Sequence, residues 1–227
     1  ALLAPSVFMR LVLGLQAEDL ARRGYWLYGY VLIQGSFALA AIGIVLALDR
    51  EGPRSVGLTF KSLIGEILAA GTALGVIYII QFLIALAVLH VSPKTMEELA
   101  EHRKEVAELF PRLPLLWIAL FALFVGFYEE VLFRGFLITR LKFIVRNIWA
   151  ALIISSLLFG VIHSYQDLLA MVQISIIAVI MGGLFILRGN LTAPILVHTV
   201  FDFANLTVYM YGPEIMNRLQ QQGILRS

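Results

Sequence analysis

Six apolar stretches dominate the chain, and they constrain its fold more than any other feature. A bilayer-crossing helix needs about 20 mostly apolar residues. The runs 27–48, 62–90, 113–139, 148–163, 168–187 and 191–211 come close to that length or exceed it. Inside hydrocarbon each segment must satisfy its own backbone hydrogen bonds, so a helix or a closed barrel is required. No alternating ten-residue pattern supports a barrel, and the expectation is an all-α, polytopic transmembrane bundle of about six to eight helices. Of 227 residues, 60% are hydrophobic and 14% are charged, which sets the chain apart from soluble domains at about 25% charged.

Connectors divide the chain more sharply than composition does. The first run carries aromatic residues at Trp26, Tyr28 and Tyr30, as expected at a membrane interface. Residues 1–16 lack a basic start and a small-residue cleavage site, so they read as an interfacial or short first helix rather than a signal peptide. Between the second and third runs, SPKTMEELAEHRKEVAELF places Met96, Leu99, Val106 and Phe110 on a narrow apolar stripe. Thr95 followed by Glu98 predicts a capping box at the start of this amphipathic connector. We divide the chain into N-terminal helices with connector (1–112), a helical core (113–211) and a C-terminal tail (212–227), all within one compact domain.

Charge excludes some partners but does not orient the chain. The net charge is +2, with no basic stripe interleaved with aromatics, so nucleic acid is not an expected partner. Lys and Arg divide almost evenly between the two sides of a six-span bundle, so they set no orientation. The chain has no cysteine, which removes disulfides, thiolate ligands and a cysteine nucleophile. A GxSxG elbow is also absent.

Ionisable residues within apolar runs are costly and mark function. The second half holds Glu129, Glu130, Arg134, His163, His198, Asp202 and Asn205; the first two full spans offer only Gln34, Glu66 and Gln81. Glu130 and Arg134 are i and i+4, stacked on one face of an α-helix and suited to an ion pair. Glu129 lies roughly 140° from Arg134 at α-helical pitch and must find its partners on other helices. A carboxylate among apolar walls holds a proton more readily than one in water, which suits a general base. These positions predict Glu129 as the base, with Glu130 and Arg134 as its support.

His198 and Asp202 are again i and i+4, so the aspartate can orient the imidazole and favour its charged form. Two chemistries fit these residues. Glu129 and His163 can activate a water while His198 and its neighbour stabilise an oxyanion. Alternatively, His163, His198 and a carboxylate can hold zinc and its bound water. No HExxH favours the metal, so zinc is the second choice and no cofactor is the first. A non-enzymatic class, a proton-coupled transporter or immunity factor, could use the same cluster, although no inverted repeat is visible.

Three motifs in order narrow the choice. EEVLFR fits EExxxR, FGVIH fits FxxxH and HTVFD fits HxxxN/D, on successive apolar runs. The set resembles the type II CAAX prenyl endopeptidases and their bacterial relatives, the CAAX-protease and bacteriocin-processing membrane proteases, over about residues 113–211. VGLTF at 56–60 is similar to a turn of the same family. The resemblance implies an all-helical intramembrane protease acting on a lipidated or membrane-associated peptide, without metal, in a multi-pass bacterial- or archaeal-type membrane protein among its lipids. It further implies that Glu129 and His163 act on the attacking water, and that His198 with position 202 forms the oxyanion site. Relatives acting on CAAX peptides carry asparagine where this chain has Asp202, and an ionised aspartate cannot donate a hydrogen bond.

Overall fold

The computed structural model describes residues 25–59, 62–92, 94–97, 99, 101, 111–164 and 167–222. Among them the chain is helical without strands: α1 (Tyr25–Leu48), α2 (Leu63–Val91), α3 (Leu115–Glu130), α4 (Thr139–Val145), α5 (Ile148–Ile162), α6 (Leu168–Arg188) and α7 (Thr192–Gln221). A π-helical segment, Val131–Ile138, joins α3 to α4 without a break. The all-α bundle expected from the apolar runs is what forms. The predicted N-terminal helix and most of the amphipathic connector lie outside the described residues.

Among the described residues, four helices are long and apolar enough to cross a membrane: Trp26–Leu48, Leu63–Val91, the continuous Leu115–Val145 and Leu168–Arg188. This is fewer than the six spans expected, for two physical reasons. At 15 residues, α5 is only ~22 Å long against a hydrocarbon core of ~30 Å. Helix α7 is long enough, but His198, Asp202 and Asn205 interrupt its apolar stretch. It also continues past 211 to Gln221, with Pro213 inside. Large apolar side chains such as Phe37, Ile64, Phe82 and Trp117 face outward, as helices surrounded by lipid require.

Polar side chains set the helix ends and so align the bundle. Asn147 accepts hydrogen bonds from the amides of Trp149 (2.8 Å) and Ala150 (3.1 Å) and starts α5. Asp167 does the same for α6 through Ala170. At the head of the connector the Thr95 amide and hydroxyl both donate to Ser92 Oγ. Ser92 therefore does the capping predicted for Thr95, and Glu98 lies outside the described residues. Gly189 ends α6 in the left-handed conformation (φ 64°), which glycine adopts without strain. Asn190 Oδ1 then accepts from the Thr192 amide to begin α7 (2.9 Å).

The same loop is tied to α2 by a buried charge. Glu66, fully buried, accepts from Arg188 Nη2 (2.8 Å) and Nε (3.3 Å) and from Asn190 Nδ2 (3.0 Å). Beside it, Pro53–Val56 forms a 3-10 turn ending at Gly57, whose carbonyl accepts from the Leu191 amide (3.0 Å). Val56 enters a core cluster with Ile138, Phe185 and Leu191. The VGLTF turn thus packs on the start of α7, with Phe60 outside the described residues. Ala70, Ala73 and Ile77 of α2 pack on Ala193 and Val197 of α7.

Glu66 and Arg188 differ in exposure: the Glu66 side chain is 0% exposed and that of Arg188 is 35% exposed. Losing the arginine takes a cation away from a buried anion, whereas losing the anion leaves an arginine that water can reach. Arg188→Ala is expected to lower the melting temperature in detergent more than Glu66→Gln, measured by thermal unfolding of both variants.

Candidate active site

Helix α7 packs closely on α3 because Gly126 leaves room for it. A Cβ at residue 126 would lie 3.1 Å from the Thr199 amide nitrogen and 3.3 Å from His198 Cβ. This approach brings the His198 imidazole between two consecutive glutamates. Its Nδ1 lies 2.8 Å from Glu130 Oε1, and its Nε2 lies 3.6 Å from Glu129 Oε2 and 3.4 Å from Asp202 Oδ2. With Glu130 ionised and accepting, Nδ1 carries the proton.

Glu130 also accepts from Arg134 Nη1 at 2.8 Å on the same oxygen, so the predicted i, i+4 pair forms. Both groups are buried, with side chains 0% and 2% exposed. The sequence reading gave Glu130 this local partner alone, and the structure adds His198 from across the interface. Glu129 changes more. At 8% exposed it is buried, and its Oε1 accepts a 2.8 Å hydrogen bond from Tyr128, its own neighbour in sequence. Its Oε2 has no hydrogen-bond partner among the described residues. The expectation that Glu129 points away from Arg134 assumes α-helical pitch from 129 to 134. The π segment widens the turn from Val131 onward, so residue i+5 returns closer to the same face.

His163 follows the last residue of α5 and is half-buried. Its Nδ1 lies 2.7 Å from the Phe159 carbonyl oxygen, to which it donates. Its ring is 4.7 Å from the Phe159 ring, which is also 6.1 Å from the His198 ring. Phe159 supports Arg134 as well, with the guanidinium carbon 4.6 Å from the ring centroid. One phenyl ring therefore touches members of all three motifs. Gly160 lets α6 close against this part of α5, since a Cβ there would lie 2.7 Å from the Met171 carbonyl oxygen. Asn205 is half-buried on α7, one turn beyond Asp202.

Glu129, Glu130, Arg134, His198 and Asp202 thus converge, and His163 joins them through Phe159. Two contributors were missed. Phe159 is the first residue of FGVIH, but its letter alone does not show a ring at the centre of the cluster. Tyr128 offers a hydroxyl beside a carboxylate in sequence, a signal that is easily read as one more interfacial aromatic. Among the described residues, no group of three or more His, Asp or Glu side chains is arranged to hold a metal ion.

The bundle thus carries a buried carboxylate–imidazole cluster where α3 and α7 meet. Residues 111–204 match the model of a protein family described as type II CAAX prenyl endopeptidase Rce1-like. The chain is therefore similar to that family of membrane endopeptidases over the stretch that carries all three motifs, as the motifs themselves suggested. No curated protein and no solved structure matches the chain.

The buried Glu130–Arg134 pair yields a stability prediction. Arg134→Ala removes the guanidinium from buried Glu130 and is expected to cost ~3–5 kcal/mol, as for other broken buried pairs. The double change Glu130→Gln with Arg134→Met removes both charges and should recover part of that loss. Chemical unfolding in detergent measures both.

Proposed function

We propose that the chain is a multi-pass membrane endopeptidase in which Glu129 is the general base and His198 the oxyanion-stabilising group. The observation that supports this reading is Glu129 Oε2: buried, without a hydrogen-bond partner among the described residues and facing His198 Nε2 at 3.6 Å. A water held there gives one proton to Oε2 while its oxygen attacks the peptide carbonyl carbon. The carbonyl electron pair moves onto oxygen, and the imidazolium Nε2–H stabilises that charge. The proton on Glu129 then passes to the amide nitrogen, the C–N bond breaks, and a carboxylic acid and an amine leave.

The other groups fit supporting tasks. With Nδ1–H given to Phe159, a neutral His163 carries its lone pair on Nε2, the tautomer that can accept from a water. Glu130 fixes His198 through Nδ1. Asp202, when ionised, cannot donate to an oxyanion, and its 3.4 Å approach to Nε2 suits balancing the imidazolium charge instead. The reading routes no step through a metal. The expected substrate is a membrane-associated or lipidated peptide. A mostly apolar cavity of about 460 Å³ between α1 and the junction of α3 with the π segment, lined by Tyr30, Ile33, Gln34, Phe37, Tyr128 and Leu132, offers room beside the site for an apolar group.

Purified protein incubated with membrane peptides, prenylated CAAX peptides among them, tests this assignment. Glu129→Gln is expected to lower hydrolysis by roughly 10²–10⁴-fold with thermal unfolding unchanged, and Asp202→Asn to retain measurable hydrolysis. Equal cleavage by wild type and Glu129→Gln would overturn the base. Loss of activity on chelation, restored by zinc, would overturn the metal-free route.

A further inference from the structure

We infer that Tyr128 is a positioning residue that selects the working oxygen of Glu129, and that α1 holds Tyr128 in place through Gly35. The inference rests on the endopeptidase reading only for its kinetic consequences. A carboxylate has two equivalent oxygens and rotates about its last torsion, so an unrestrained Glu129 would present either oxygen to a water. Here the Tyr128 hydroxyl donates to Oε1 at 2.8 Å, and Oε2 is the oxygen facing His198. The hydrogen bond breaks the equivalence and fixes the torsion.

Residues 128 and 129 leave the helix about 100° apart, so a hydroxyl reaching the neighbouring carboxylate needs its ring held against the helix. Phe124, one turn earlier, lies against it at 5.5 Å between ring centroids. Helix α1 closes the slot from the other side. A Cβ at Gly35 would stand 2.6 Å from Tyr128 Cδ1, 2.9 Å from its Cε1 and 2.7 Å from Phe124 Cε1. A methyl at position 35 must therefore displace the ring or the helix. Gly35 lies outside the stretch 111–204 that resembles the protease family. A residue of the first half of the chain thus bears on the Glu129 carboxylate through the Tyr128 ring.

A purely packing role for Tyr128 is separable because phenylalanine keeps the ring and loses the hydroxyl. Tyr128→Phe is expected to lower kcat by roughly tenfold to a hundredfold, the range of a hydrogen bond to a charged group, with KM and melting temperature unchanged. Gly35→Ala should lower kcat in the same way. Combining the two should do no more than Tyr128→Phe alone, since both act through one hydrogen bond. A wild-type kcat in Tyr128→Phe, or full additivity of the two changes, overturns the inference.

A second measurement is independent of catalysis. The infrared carboxylate bands of Glu129, assigned by difference against Glu129→Gln, should shift between wild type and Tyr128→Phe. Unshifted bands overturn the inference even where peptide hydrolysis is observed. Shifted bands in a protein that hydrolyses no peptide uphold the positioning contact and overturn the endopeptidase reading instead.

Discussion

The imidazole of His198, held between Glu129 and Glu130, is the contact on which the site depends. A histidine has two nitrogens on opposite edges, and here each edge meets a carboxylate from α3, with Asp202 as a third at Nε2. Buried carboxylates are costly unless charge and hydrogen bonds answer them. Arg134 and His198 supply the charge, and Tyr128 supplies a further hydrogen bond. The arrangement forms only if α7 lies flush on α3, so Gly126 matters to the chemistry although it carries none.

Two devices far along the chain fix where His198 arrives. Helix α7 begins at Thr192, less than two turns before His198, so any slip at its start moves the imidazole directly. Asn190 caps that start, while Glu66 of α2 grips both Asn190 and Arg188. On the α3 side, Gly135 within the π segment lies against the Val56 carbonyl, where a Cβ would approach to 2.6 Å. The turn at 53–57 therefore touches both elements of the cluster, the π segment at Gly135 and the start of α7 at Leu191. A polar network that joins helix ends can set register where apolar packing against lipid is weakly directional.

Much of this was legible in the sequence because it rests on short-range spacing. The helices follow from apolar runs, and the Glu130–Arg134 pair follows from i, i+4 geometry. What stayed hidden depends on three-dimensional context. The face argument for Glu129 used a pitch that the π segment changes just beyond it. The span count included the apolar run 148–163, yet the helix it forms, α5, is only 15 residues long. Glu66 looked like a stray polar residue near a helix start, because its partners lie 122 and 124 residues away.

The placement of the π segment has a physical sense of its own. Helix α3 must present Glu129 and Glu130 to α7, then Arg134 to Glu130 and to the face of Phe159, then Gly135 to the Val56 turn. These demands fall on successive residues and on different sides of the bundle. A strict α-helix advances about 100° per residue and fixes their relative directions. Widening the turn from Val131 to Ile138 shifts Arg134 and Gly135 relative to the two glutamates while the chain stays helical, as the hydrocarbon interior favours. A proline kink would free backbone groups, and a loop would expose more. The π turn redirects side chains inside a membrane helix without either cost, and it begins at the residue after the glutamate pair.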